Sequence, residues 1–234
     1  MKLSDPQVKK MLLRHRYKNY DGFFASLSDN LDEIIDILQA SLNKMSRLVY
    51  DLVSECEDEE LCFTDNQKRR ILEISCKHLE DDMSVRIRDI LAERGFKAIH
   101  DGNHNGHVDL LVKSHDEVYQ WFGEAKIYDG LVYTQHGFNQ LNNRYSTGTS
   151  KTAGGGLIIY LNSTRKTVVQ IMKEWKDGFE RISSTRNDMQ GFSISCCSKN
   201  PLALNSVHKH HKSGLDYKIR HVCIDLRHEP NDKA

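Results

Sequence analysis

Apolar side chains recur along the chain at two periods, and the longer period predicts a helix near the N-terminus. Between positions 31 and 52 they lie alternately four and three residues apart, the a/d spacing of a helix that buries one stripe. We expect this helix to begin at Ser28, because Asp29, Asp32 and Glu33 then lie near its positive end. One stripe requires one partner: another helix of this chain, a second copy, or a different protein. The stripe comprises Leu31, Ile35, Leu38, Leu42, Met45, Val49 and Leu52.

An acidic run at 55–60 interrupts this stripe and predicts a solvated loop. We place the domain boundary there, with a helical N-terminal extension over residues 1–60 and the main domain over residues 61–234. Thr64 and Gln67 then have the form of a capping box, with a hydroxyl at the N-cap and an amide three residues later. The helix that they open carries one apolar face, formed by Leu72, Cys76, Leu79, Met83, Ile87 and Ile90, and its end is predicted at Gly95.

Glu80 differs from the other acidic residues of this second helix. At about 100° per residue, it lies roughly 60° from the middle of the apolar stripe, whereas Asp81 points almost directly away. The carboxylate of Glu80 can therefore face along the core towards a sheet. The alternative is an ordinary boundary residue that pairs with a surface arginine, Arg86 or Arg88.

The shorter period predicts a β-hairpin from two apolar runs, at 106–113 and 121–127. Asp109, Glu124 and Lys126 lie inside these runs, where a charge costs free energy unless it has a partner. Alternation places Glu124 and Lys126 on the same face, and strand pairing can bring Asp109 beside Glu124. Two neighbouring carboxylates favour a positive group between them, and a few oxygen ligands completed by water suit Mg²⁺. The alternative is an ion-pair cluster on an exposed sheet face, which the apolar flanks on both sides disfavour.

The remaining pattern predicts an α/β (α+β) fold, in which a mixed sheet is flanked by helices on both faces. The run at 157–161 is continuously apolar, which indicates a central strand covered on both sides. The other expected features are a first strand at 96–99, a turn-rich loop at 101–106, a helix at 131–145, a helix capped by residues 162–164 with Val168, Val169, Met172, Trp175, Phe179 and Ile182 on its buried side, and late strands at 192–197 and 219–226.

Composition narrows the class of protein without identifying a function. Of 234 residues, 38% are hydrophobic and 28% charged, which is typical of a globular chain, and the formal net charge is zero. Any attraction to nucleic acid must therefore come from a local patch. The N-terminus is not that of a signal peptide, and no apolar run is long enough for a membrane span. Six cysteines without a CxxC pair lead us to expect reduced thiols in a cytoplasmic protein.

Two basic regions each permit more than one interpretation. Residues 1–27 combine lysines and arginines with aromatic side chains, so they either bind nucleic acid or form a helix that packs its aromatics on the body. The tract at 207–212 could contact phosphates or remain a solvated loop. A third possibility for this tract is a zinc site that combines His208, His210 or His211 with Cys196, Cys197 or Cys223.

Glu80 on a helix, Asp109 on a strand and Glu124-Ala125-Lys126 on the next strand together resemble the PD-(D/E)XK nuclease superfamily, which is restriction-endonuclease-like. The resemblance covers about residues 64–161. Val108-Asp109 stands where the family has Pro-Asp. Gln140 with Tyr145 resembles the glutamine-bearing helix of many members, at a spacing one residue longer than in the RecB-like branch.

This resemblance implies an Mg²⁺- or Mn²⁺-dependent endodeoxyribonuclease that hydrolyses phosphodiester bonds of DNA, in the style of a restriction or anti-phage defence effector. Asp109, Glu124 and the main-chain carbonyl of Ala125 would hold the metal, and Glu80 would hold a water on it or a second ion. Lys126 would lie beside the attacking hydroxide and the phosphate. Gln140 would orient the water or the phosphate.

The competing hypothesis is a non-catalytic nuclease-like fold that binds nucleic acid or a partner protein. The helix at 28–54 would then serve as a contact, in a homodimer or with a component of a defence system. The intact acidic pair and lysine favour the enzyme, because degenerate members of such folds usually lose the lysine or an acid.

Overall fold

A computed structural model describes residues 17–41, 64–103, 107–162 and 165–227. These parts of the chain form four α-helices and a sheet of seven strands. The helices are α1 (Tyr20–Ser41), α2 (Asp65–Glu93), α3 (Gly130–Gln140) and α4 (Val168–Ser183). The strands are β1 (Lys97–Asn103), β2 (His107–Lys113), β3 (Gln120–Ile127), β4 (Gly154–Leu161), β5 (Ser193–Cys196), β6 (Leu204–Lys209) and β7 (Asp216–Asp225).

The sheet has the order β1-β2-β3-β4-β7-β6-β5 and is mixed. Strand β4 pairs in parallel with β3 and β7 at the centre, and the outer pairs are antiparallel. Along β4, Ile158 and Tyr160 enter the hydrophobic cluster beneath α1 and α2, whereas Leu157 and Ile159 enter the cluster beneath α3 and α4. The predicted α/β class, a mixed sheet with helices on both faces, is confirmed, and so is the central strand.

Helix α1 begins at Tyr20, eight residues before the predicted start, because Tyr20, Phe23 and Leu27 continue the apolar stripe towards the N-terminus. From Leu31 to Leu38 the stripe is buried within this chain, in the same cluster as α2. The hydroxyl of Tyr20 donates to the carbonyl of Gly154 at 2.9 Å, so the aromatics at this end do pack on the body. The basic residues before position 17 and the rest of the stripe beyond Ser41 lie outside the described residues.

Helix α2 begins and ends as the sequence predicts. Thr64 and Gln67 form a reciprocal capping box, and Gly95 follows the helix with φ +89°. That left-handed conformation suits glycine because it has no Cβ. The 29-residue helix packs on β1, β2 and β3 and presents Glu80 to β3.

Several local predictions were wrong, and one strand was not predicted. Strand β1 continues to Asn103 through positions expected to form a turn, and α3 ends at Gln140, where a π-helical turn (Leu141–Tyr145) follows. Helix α4 is capped by Thr167 with Gln170, not by residues 162–164, and its Val169 is exposed. Strand β6 was not predicted, because its inward positions are Leu204, Ser206 and His208, only one of which is apolar. No helix among the described residues is long and apolar enough to cross a lipid bilayer.

Candidate functional site

Lys126 lies at the centre of three carboxylates where α2, β2 and β3 meet. Its Nζ is 2.7 Å from Glu124 Oε1, 3.6 Å from Glu80 Oε1 and 3.9 Å from Asp109 Oδ2. Glu124 is 1% exposed as a residue, and the other three side chains are mostly buried. The structure therefore brings these four sequence-predicted residues together. The alternative of an exposed ion-pair cluster does not describe a group this deeply buried, and Arg88 pairs with Asp89 and not with Glu80.

The divergence of β2 from β3 creates room for this cluster. Their ladder ends at Leu110 and Gly123, so the main chain of β3 beyond that pair is open on the β2 side. The amide of Ala125 donates to Asp109 Oδ2 at 2.7 Å, and the amide of Ile127 donates to Glu80 Oε2 at 3.0 Å. Carboxylates thus replace the missing strand as hydrogen-bond acceptors, which satisfies the buried amides.

Burial and mutual repulsion make the acids hard to ionise. Burial raises the pKa of Glu80 and of Asp109. The pKa of Glu124 rises to about 8, first because of burial and then because of the charge on Asp109. Burial by itself would lower the pKa of Lys126, but the three carboxylates outweigh it and raise that pKa. Lys126 therefore stays protonated, and a second cation would favour ionisation of all three acids.

Gln140 joins the cluster from the last turn of α3. With its amide oriented to satisfy both ends, Gln140 donates to Glu124 Oε1 at 2.7 Å and accepts from Arg144 at 3.2 Å. The hydroxyl of Tyr145 donates to the carbonyl of His107 at 2.7 Å and fastens the π-helical turn to β2. The pKa of this buried phenol rises to about 12, chiefly through burial. Gln140 is thus a direct neighbour of the acids, and Tyr145 has a structural contact.

The donor set fits a divalent cation such as Mg²⁺ or Mn²⁺. When the acids are ionised, three carboxylates face one ammonium, which leaves two uncompensated negative charges among these four side chains. Glu124 Oε2 is buried and has no hydrogen-bond partner among the described residues. The carbonyl of Ala125 accepts from Lys126 Nζ at 2.8 Å, so it also faces the cluster. Such oxygen donors suit hard cations. The described His, Cys, Asp and Glu side chains form no group of three or more spaced to hold a metal ion.

A cleft of about 560 Å³ opens over Lys126 and Gln140. Five of its residues were not predicted from the sequence. They lie on α3 and the π-helical turn at helical spacing, so the polar stripe on this face was the signal that could have found them. These residues are Tyr133, His136, Asn139, Asn143 and Arg144. The described residues that line the cleft include no carboxylate, although Lys126, at the floor of the cleft, lies beside three.

The histidine tract is partly buried and partly exposed, so it is not a wholly solvated loop. His208 and His210 are buried, and His221 is buried beside them on β7. Ring nitrogens of these residues bond Asn142 at 2.8 Å, Ser146 at 2.6 Å and Ser206 at 2.8 Å, respectively. The first contact joins the π-helical turn to β6, and the described His, Cys, Asp and Glu side chains form no group of three or more spaced to hold zinc. His211 and Lys212 remain exposed.

Replacement of His208 by Gln tests the neutral state of these histidines. Burial lowers the pKa of His208 to about 4, below the value of about 6.5 in an unfolded chain. Its contribution to stability is therefore complete above pH 6.5 and is lost as the pH falls towards 4. We expect His208→Gln to lower the free energy of unfolding at pH 7 by about 1–2 kcal/mol. At pH 5 this difference in the free energy of unfolding should be smaller, because only the wild type then loses stability through the buried ring of His208.

Urea unfolding at pH 7 and pH 5 measures both differences, and His78→Gln is the matched control because His78 is exposed on α2. The control should differ little from wild type at either pH. A deficit of His208→Gln that is the same at both pH values would contradict a neutral, buried His208.

No family model, curated protein or solved structure matches the chain in the comparisons with known proteins. The geometry of this site is therefore the basis on which a function can be inferred.

Proposed function

We propose that this protein is a metal-dependent nuclease that hydrolyses phosphodiester bonds of DNA, with a site of the PD-(D/E)XK kind. The observation that carries the proposal is the position of Lys126 Nζ, within 4 Å of Asp109, Glu124 and Glu80 at the base of a cleft without acids. A buried ammonium among three acids has no need of a cleft above it if its role is structural. A cleft rich in hydrogen-bond donors beside excess negative charge suits a phosphate that approaches together with a cation.

Asp109, Glu124 and the carbonyl of Ala125 would hold Mg²⁺ or Mn²⁺, and Glu80 would complete the negative face of the site. When bound, the cation lowers the pKa of water and stabilises the charge that develops on the phosphate. Lys126 holds a positive charge and a proton donor beside the non-bridging oxygens of the phosphate. Gln140 keeps Glu124 oriented through its amide hydrogen bond.

The test is incubation of the protein with plasmid DNA and Mg²⁺ or Mn²⁺, with and without EDTA. We expect cutting that requires the metal, and we expect Lys126→Ala to reduce its rate by about 100-fold or more, since the variant lacks the fixed charge. Lys97→Ala is the matched control, because Lys97 forms a surface ion pair with Glu117 away from the cleft. Cutting by Lys126→Ala at the wild-type rate would overturn the proposal.

The alternative of a non-catalytic binding fold predicts a different result in the same assay. The protein would bind the DNA without cutting it under any metal condition, and Lys126→Ala would change only the binding. A contaminating nuclease is distinguished by the variants, because its cutting would persist equally in Lys126→Ala.

A further inference from the structure

We infer that the cleft over Lys126 binds an unpaired nucleotide, so that the substrate is single-stranded nucleic acid or a strand end and not an intact duplex. This inference rests on the proposed function, since it assigns the substrate of the same site. It is carried by the size of the cleft, by an exposed aromatic ring at its wall and by the donors that line it.

The size of the cleft suits a nucleotide. Its volume of about 560 Å³ falls within the range of about 300–1,000 Å³ that is usual for small-ligand sites. The wall comes from one helical segment, residues 133–144, and the floor from Lys126. A base and its phosphate fit in a space of this size. A nucleotide outside a duplex can bring both of them to Lys126, because its base is free to leave the stack.

Tyr133 supplies a stacking surface. It lines the cleft and is 43% exposed, so its ring is open to solvent on the cleft side of α3. The pKa of Tyr133 is raised by burial of its hydroxyl end, and the charges of Glu80 and Lys126 both reach it. The ring thus stands between solvent and the acid cluster. Stacking of a base on an aromatic side chain is the common device of single-strand binding, because every base has a π-face.

Two asparagines present donors because their oxygens are already engaged. Asn139 Oδ1 accepts from Arg186 Nη1 at 2.5 Å, and Asn143 Oδ1 accepts from Asn142 Nδ2 at 3.1 Å. Each amide NH₂ is therefore the end that remains for a ligand in the cleft. With His136 and Arg144, the wall offers donors to phosphate oxygens and to base carbonyls. An unpaired nucleotide presents these acceptors together with a free base face for the ring of Tyr133, whereas the base faces of an intact duplex are stacked on each other.

Arg186 and Asp188 hold this donor wall in place from the loop after α4. Besides its bond to Asn139, Arg186 forms an ion pair with Asp188 at 2.5 Å, and its guanidinium lies over the ring of Phe138 at 5.8 Å. The wall is thus preorganised before a ligand arrives, which lowers the entropic cost of binding.

The experiment is fluorescence anisotropy in EDTA with a short labelled oligonucleotide, as a deoxyribose strand, as a ribose strand and as a DNA duplex. EDTA separates binding from hydrolysis. We expect a single strand of either sugar to bind about tenfold more tightly than the duplex, and Tyr133→Ala to lose about tenfold in affinity for the strand. Tyr133→Phe keeps the ring and should bind as wild type. Val132→Ala is the matched control, because Val132 is 69% exposed on the same helix but does not line the cleft.

The two proposals fail in different ways. If the duplex binds as tightly as the strand, or if Tyr133→Ala binds the strand as well as wild type does, the inference is overturned while metal-dependent cutting can still stand. If single-stranded oligonucleotides bind through Tyr133 but are not hydrolysed with Mg²⁺ or Mn²⁺, the inference holds and the proposed hydrolytic function is wrong. A thermal melt of each variant verifies folding, which the exposure of both side chains should leave unchanged.

Discussion

Replacement of Glu124 by Gln should abolish metal-dependent cutting without unfolding the protein. The substitution keeps the shape of the side chain and the hydrogen bonds that its Oε1 accepts from Lys126 and Gln140, but it removes the charged oxygen donor that we propose for the cation. We expect the rate to fall by about a thousandfold or more, because the charge stabilisation that the cation supplies is worth several kcal/mol. Wild-type protein should gain melting temperature as Mn²⁺ is added, since binding to the folded state alone stabilises it, and the variant should lose that gain.

The stability of the variant without metal provides a second readout. In wild type, the raised pKa of Glu124, about 8, means that its ionisation opposes folding as the pH rises from about 4.5 to 8. Glu124→Gln cannot ionise, so relative to wild type it should become more stable over that interval in EDTA. Glu117→Gln is the matched control, because Glu117 is exposed and pairs with surface lysines. The proposed metal assignment would be contradicted if Mn²⁺ left the melting temperature of the wild type unchanged, or if Glu124→Gln still cut DNA.

Gly156→Ala should destabilise the protein more than any single change at the surface. A Cβ at this position would lie 2.1 Å from Cζ2 of Trp121, whose ring is 1% exposed in the cluster beneath α1 and α2. Neither the central strand nor the packed indole can move without disturbing its neighbours, so we expect a loss of about 3 kcal/mol or more in urea unfolding. The same ring lies against Gly123, the residue before Glu124, so the collision would also disturb the site.

Two further variants test the cause. Gly22→Ala in α1 is the control, since its Cβ would meet nothing closer than 3.5 Å and a helical alanine is favoured by up to about 1 kcal/mol. Trp121→Phe combined with Gly156→Ala should recover part of the loss, because the smaller ring vacates the space that the methyl group needs. Equal stability of Gly156→Ala and wild type would show that the strand can accommodate the contact by shifting.

Several features of the fold followed from the sequence because they have local causes. The capping box at Thr64, the glycine after α2 and the buried strand at 157–161 each depend on a few neighbouring residues. The pairing of β2 with β3 was also predictable, because two runs of alternating apolar residues joined by a short polar turn are typical of a β-hairpin. The inward position of Glu80 followed from helical geometry alone.

The errors have a common physical origin in contacts between distant parts of the chain. Strand β6 carries His208 because Asn142, from the π-helical turn 66 residues earlier, satisfies its ring nitrogen. Without that partner, burial would leave the ring nitrogen of His208 without a hydrogen bond, and no local pattern reveals the partner. The early start of α1 likewise depends on Tyr20 meeting the carbonyl of Gly154.

The sequence by itself determined the classes of the elements, the identity of the acidic residues and lysine, and the faces on which they lie, because side-chain period is a property of the local backbone. Only the tertiary structure decided that α2 brings Glu80 to the amide of Ile127, that β2 diverges from β3 beside Asp109, and that α3 places a donor-lined cleft above Lys126. These relations depend on how packed layers are offset from one another, and that offset is fixed by the fit of buried side chains, such as Trp121 against two glycines, which no local pattern encodes.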